Sequence, residues 1–349
     1  MPKLIIHVGM PKAGSTALQS RLHSLRSDLI EQRILYPTKT LNHNFLMAGA
    51  VPLQKLPRIF RQHYNGNERA LNSDFQDFWS TILAQVGKRK PEIVVMSGEN
   101  LWSIPDEGVR HLRHLLETIS NDIHIVCYVR KPSDFFLSRM QQQLKASHII
   151  PALMGVKYRK NLETLAGLGT QIHVHPYDRD TFVERDVCLD FAEKHLGGRD
   201  KLRSPHVETS HNESISGEAM AILQEYRLCI HPERGSQFTK DTNRLLRELR
   251  HLSGDDRPRL HPEVKRLIDQ SSTDLRWLKK TYGITFADID YESLSMRDPT
   301  RVKSVSDICV IDESKKLMML NTLLHRAMGE QSDEPMNFRT VYKRRQKEA

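Results

Sequence analysis

In the first half of the chain, short unbroken apolar runs alternate with stretches of helical period, and the two patterns predict different elements. Leu4 to Val8 reads as a buried strand, followed by a helix whose Leu18, Leu22, Leu25 and Leu29 share one face. Ile34-Leu35-Tyr36-Pro37 reads as a short second strand stopped by proline, and Thr38 to Asn44 as a polar, turn-rich loop. Residues 45 to 87 read as helices. The strongest of these carries Leu71, Phe75, Phe78, Trp79, Ile82, Leu83 and Val86, a stripe suited to core packing rather than to a ligand. Glu92 to Ser97 and Ile123 to Val129 are continuous apolar runs of the kind found in strands covered on both faces. A helix is expected over Asp106 to Ile119, another over 132 to 146, and a fifth strand over Gln171 to His175. Strands alternating with helices predict an α/β fold, a parallel β-sheet flanked by helices and joined by right-handed crossovers.

Beyond about Asp200 the strands stop. Helices are expected near 216–229, 237–252, 262–281 and 312–328, between polar loops that carry Pro232, Gly235, Gly254, Pro258 and Pro299. This divides the chain into an α/β core, 1–199, and a mostly helical extension, 200–349, packed on that core rather than independent of it.

Composition narrows the function classes. With 349 residues, 38% hydrophobic and 27% charged, the chain has the make-up of an ordinary globule with a large core. It has no run of 18 apolar residues and no signal-type h-region, so no transmembrane segment and a cytoplasmic location are expected. Cys127, Cys188, Cys229 and Cys309 are too scattered for a disulfide framework or a zinc site, and read as reduced thiols. A net charge of +9 favours anionic partners without choosing among them. The basic run Lys343-Arg344-Arg345 with Lys347 reads as a solvated tail, and no zinc-finger, ribonucleoprotein or helix-turn-helix motif argues for nucleic acid.

The chemistry is concentrated where the first strand meets the first helix. Gly9-Met10-Pro11-Lys12-Ala13-Gly14-Ser15-Thr16-Ala17 places glycines, a lysine and hydroxyls between a strand end and a helix start. There, free N–H groups and the positive helix end converge on an anion. The standard nucleoside-triphosphate loop has Lys directly after the second Gly; here Lys12 precedes Gly14 by two residues. Pro-Lys-Ala-Gly-Ser-Thr, with Gln19 beyond it, resembles instead the 5′-phosphosulfate loop of sulfotransferases that use 3′-phosphoadenosine 5′-phosphosulfate (PAPS), with Ser15 where that family more often has Thr. Arg130-Lys131-Pro132, with Ser138 eight residues after the Arg, resembles the same family's 3′-phosphate site. On the residues alone, Arg130 could equally pair with Asp134. Weaker likenesses to bacterial sulfotransferase-like proteins lie at Tyr177-Asp178-Arg179, Asp190-Phe191, Asn212-Glu213-Ser214, and Trp277-Leu278 with Tyr282.

The resemblance implies a sulfotransferase of P-loop fold whose core binds PAPS through residues 11 to 17, with Arg130 and Ser138 on the 3′-phosphate. It implies in-line transfer of the sulfuryl group to a hydroxyl or amine of a glycan, glycolipid or other small acceptor. No metal is needed if Lys12 and the N–H groups of residues 14 to 17 stabilise the leaving phosphate. Glu99, at the end of a central strand, is the first candidate for the base and His43 the second. His7 reads as a packed strand residue facing the cradle. The competing readings are an atypical P-loop kinase and a non-catalytic nucleotide- or polyanion-binding protein.

Overall fold

The computed structural model describes residues 1–204, 214–233 and 237–328. Asn212, Glu213, Gly235 and the basic run at 343–347 lie outside the described residues.

In chain order the elements are β1 (Lys3–His7), α1 (Ser15–Ser24), α2 (Arg26–Glu31), β2 (Ile34–Leu35), α3 (Arg58–Tyr64), α4 (Glu68–Arg89), β3 (Ile93–Ser97), α5 (Asp106–Glu117) and β4 (Ile123–Val129). There follow α6 (Pro132–Leu144), α7 (Arg159–Ala166), β5 (Gln171–Pro176), α8 (Val187–His195), α9 (Gly217–Ile230), α10 (Lys240–Ser253), α11 (Pro262–Gln270), α12 (Asp274–Tyr282) and α13 (Glu313–Ala327). The five strands form one sheet in the order β2-β3-β1-β4-β5, every pairing parallel. The expected α/β class is therefore observed.

The chain divides into two compact units at points the sequence pattern does not mark. The first comprises Met1–Lys131, Val156–Ser210 and Thr273–Tyr291; the second comprises Pro132–Gly155, His211–Ser272 and Glu292–Ala349. Set against the expected division at 199/200, residues 132–155 go with the later helices and 273–291 with the sheet. Long-range backbone bonds account for this. Leu153 exchanges two backbone hydrogen bonds with Thr300 (2.8 and 2.9 Å). The Asp274 carboxylate accepts the N–H groups of Tyr158 (2.8 Å) and Arg159 (2.9 Å).

In the first unit, Leu4–Ile6, Val94–Met96 and Ile125–Val129 are fully buried, as expected for parallel strands covered on both faces. His7 lies level with Ser97 across the β1–β3 ladder. The aromatic stripe of α4 packs as core: Phe45 meets the rings of Phe75 and Phe78, and Phe75 stacks on Trp79. In the second unit, Met140, Leu144, Ala219, Leu223, Leu249, Ile268 and Met319 sit in one apolar core.

Two expected helices are broken. The first yields at Leu25, next to Ser24, whose Oγ bonds back to Arg21 O (3.0 Å). The helix expected over 262–281 is interrupted at 271–273, where the hydroxyls of Ser271 and Ser272 bond back to Leu267 O (2.6 Å) and Ile268 O (2.9 Å). Such bonds compete with the helical ladder. The helix expected from 237 starts at Lys240, with Thr239 as its N-cap.

Candidate functional site

The loop from Gly9 to Gly14 leaves the carboxyl end of the central strand β1, where ligands collect in open parallel sheets. Gly9 (φ 53°), Lys12 (φ 68°) and Gly14 (φ 81°) all have left-handed backbone. Gly14 could carry no side chain: a Cβ there would lie 2.7 Å from the Tyr177 ring and 3.2 Å from Val187. A Cβ on Gly9 would lie 2.4 Å from Ser15 Oγ. The two glycines therefore set the curvature of the loop.

The loop closes on unused donors. Among the described residues, none accepts from the N–H groups of Gly14, Ser15, Thr16 or Ala17, and the first helical bond runs from Leu18 N to Gly14 O (3.1 Å). Ser15 is 2% exposed and its hydroxyl has no partner among the described residues. A buried hydroxyl without a partner costs about 1–3 kcal/mol unless something answers it. No acidic residue lies in the first turn of α1 to oppose an anion. Lys12 is half-buried, and its Nζ has no hydrogen bond or ion pair with a described residue.

Arg130 braces this loop from the end of β4. Its Nη1 donates to Lys12 O (2.8 Å), its N–H meets Met10 Sδ at 3.5 Å, and its guanidinium lies 5.5 Å from the centre of the Tyr177 ring. Buried Tyr158 donates to Arg130 O (2.7 Å). Ser138, the expected second half of the 3′-phosphate grip, is a half-buried residue of α6 in the second unit. The start of that helix is held by Asp269, which accepts Ser133 N (2.9 Å) and Ser133 Oγ (3.0 Å).

Of the two expected bases, the structure leaves one available. Glu99 stands at the carboxyl end of β3, half-buried in a turn over Glu99–Ser103, and its carboxylate has no partner among the described residues. His43 is fully buried with both ring nitrogens in use: Nδ1 accepts Ser97 N (3.1 Å) and Nε2 donates to Pro37 O (2.9 Å). Burial pushes its pKa down to about 4. The expectation that His43 acts as a base is corrected here, because the ring has no nitrogen left to accept a proton.

Behind the cradle the sequence reading missed a relay. Gln19 Nε2 donates to Ser97 Oγ (3.0 Å), and Ser97 Oγ lies 2.8 Å from His7 Nδ1, all three residues being buried. The available signal was positional, since His7 and Ser97 end two strands that pair in register. A groove of about 600 Å³ opens at the start of α7, lined by Asp106, Lys157, Arg159, Lys160, Glu163, Thr164 and Asp274. The helix α7 packs against the turn that carries Glu99. No group of three or more His, Cys, Asp or Glu among the described residues is arranged to hold a metal ion. No described helix is long and apolar enough to cross a membrane.

No protein-family model, no curated protein and no solved structure matches this chain.

Proposed function

We propose that this chain is a PAPS-dependent sulfotransferase of P-loop fold, acting on a hydroxyl or amine of a glycan, glycolipid or other small acceptor. The observation that carries the reading is the cradle at β1–α1, where four backbone N–H groups and the buried Ser15 hydroxyl have no partners among the described residues, beside Lys12. Together with the order Lys-Ala-Gly-Ser-Thr, this suits a phosphosulfate better than a metal-bound triphosphate.

The roles follow from the chemistry. The acceptor oxygen attacks sulfur in line, the bond from sulfur to the bridging phosphate oxygen breaks, and the acceptor's proton passes to Glu99. Lys12 and the N–H groups of residues 14 to 17 stabilise the charge that grows on the leaving phosphate. The resemblance alone assigns Arg130 and Ser138 to the 3′-phosphate. The polar groove at α7, next to the Glu99 turn, suits a hydroxyl-rich acceptor.

The test is a comparison of thermal shifts with 3′-phosphoadenosine 5′-phosphate and with ADP. The reading expects several degrees of stabilisation by the first and little by the second. Equal shifts, or a larger one with ADP and Mg²⁺, would return the chain to the kinase or nucleotide-binding reading. E99Q is expected to retain nucleotide binding and lose sulfuryl transfer.

A further inference from the structure

The relay behind the cradle has an open end. Ser97 Oγ accepts from Gln19, so its own proton goes to the acceptor within reach, His7 Nδ1 at 2.8 Å. That bond places the imidazole proton on Nε2. His7 Nε2 has no hydrogen-bond partner among the described residues, although the residue is only 1% exposed. The Cε1 edge of the ring lies 3.5 Å from the point a Gly9 Cβ would occupy, and Ser15 Oγ lies 2.4 Å from that same point. The Cε1 edge that carries Nε2 and the Ser15 hydroxyl, which has no partner among the described residues, thus border one small space inside the loop. The ring is held in place by Phe191 (6.0 Å, edge-on) and Tyr128 (6.4 Å).

We infer that His7 is a neutral Nε2–H donor to the 5′ anion of the bound nucleotide, and that Ser97 and Gln19 are positioning residues that set its tautomer. The inference rests on the phosphosulfate reading of the loop. The neutral form fits the surroundings: burial lowers the His7 pKa to about 4. A neutral donor grips the phosphosulfate with Ser15 and the backbone N–H groups. It also leaves Lys12 as the cation that answers charge developing during transfer. Exchanging His7 with the opposite tautomer would aim a lone pair at the anion.

The experiment measures Kd by calorimetry at pH 7.5 for 3′-phosphoadenosine 5′-phosphate and for adenosine 3′-phosphate, which lacks the 5′ group. In H7F the first ligand is expected to bind about tenfold more weakly and the second unchanged. H7Q, which keeps a donor near the Nε2 position, recovers most of the loss, and S97A shows the same selective weakening as H7F. ¹⁵N NMR of the histidine rings is expected to show His7 as the Nε2–H tautomer in the full-length protein and to lose that preference in S97A. An equal loss for both ligands in H7F, no loss for either, or an Nδ1–H tautomer in the unsubstituted protein would overturn the role of His7 while leaving the nucleotide reading standing. Failure of the unsubstituted protein to bind either ligand would overturn that reading, and this inference with it.

Discussion

Histidines gather at two places on the one sheet and are partnered differently there. At the carboxyl end of β1 and β3, His7 and His43 stand on either side of Ser97, each bonded to a group that belongs to no other titrating side chain. At the β4–β5 edge, histidines bond to histidines: His124 Nδ1 meets His173 Nε2 at 2.9 Å, and His175 Nε2 meets His195 Nε2 at 3.0 Å. His173 and His195 lie ring to ring at 5.2 Å, which joins the pairs into a row, and Asp122 Oδ1 ends it at His124 Nε2 (2.9 Å). The difference teaches what partners do to the same side chain. A hydroxyl partner holds His7 through Nδ1 whatever the state of any other ring, whereas an imidazole partner holds only while at least one ring of the pair stays neutral.

The largest effect expected from this contrast is on acid stability. Burial lowers the pKa values of His7, His43 and His175 to about 4 and that of His195 to about 2. Lys194 and the neighbouring imidazoles push the edge pair down further, while Asp190 opposes this at His175; Lys3 acts on His173 and His195. The unfolded chain therefore takes up protons before the folded one. Stability is complete above about pH 6.5 and is lost as the pH falls towards 4, by on the order of 3 kcal/mol for each fully buried ring. Urea unfolding at steps from pH 8 to 4.5 measures it. H195N sharpens the comparison: it moves the acid midpoint to lower pH if the edge row fails first, and leaves it in place if His7 and His43 govern the transition.

Next in size is Lys12→Ala. Its ammonium bonds to no described residue, so the melting temperature is expected to stay within about 2 °C of the starting value. Turnover is expected to fall about 10³-fold in a sulfuryl-transfer assay. A large drop in melting temperature would mean that the cradle also holds the sheet end together.

Smaller and opposite in kind is Tyr128→Phe. Tyr128 donates to buried Asp190 (2.8 Å), whose other partners are Lys194 Nζ (2.7 Å) and Val183 N (3.4 Å). Removing the hydroxyl is expected to destabilise the fold by about 1–3 kcal/mol and leave nucleotide affinity unchanged. Denaturation and calorimetry on the same variant separate the two. The smallest effect belongs to Tyr158→Phe, which removes the donor to Arg130 O. About 1 kcal/mol of stability and a few-fold loss of nucleotide affinity are expected, because the brace on the loop loosens.

How much of this was legible depends on how far the relevant partners lie along the chain. The parallel sheet, the strand ends at His7, Ser97 and Val129, and the glycine bend before α1 all follow from apolar period and from turn chemistry within a few residues. The assignment of the α4 stripe to the core follows in the same way. Less could be read of the site. Glu99, after a central strand, and His43, in a polar loop, could be ranked as bases from the sequence but not separated. Only contacts reaching 54 residues along the chain, from His43 to Ser97, showed that one of them is walled in by its own backbone.

By itself the sequence determined the class of fold and the glycine bend between β1 and α1, since these depend on local backbone freedom and on the period of burial. The tertiary structure decided the rest: which histidine keeps a free nitrogen, that Arg130 reaches 118 residues back to hold Lys12 O, and that 132–155 leave the sheet for the helical unit. Those outcomes depend on desolvation and on hydrogen-bond partners brought from distant segments. Neither is fixed until the chain has folded.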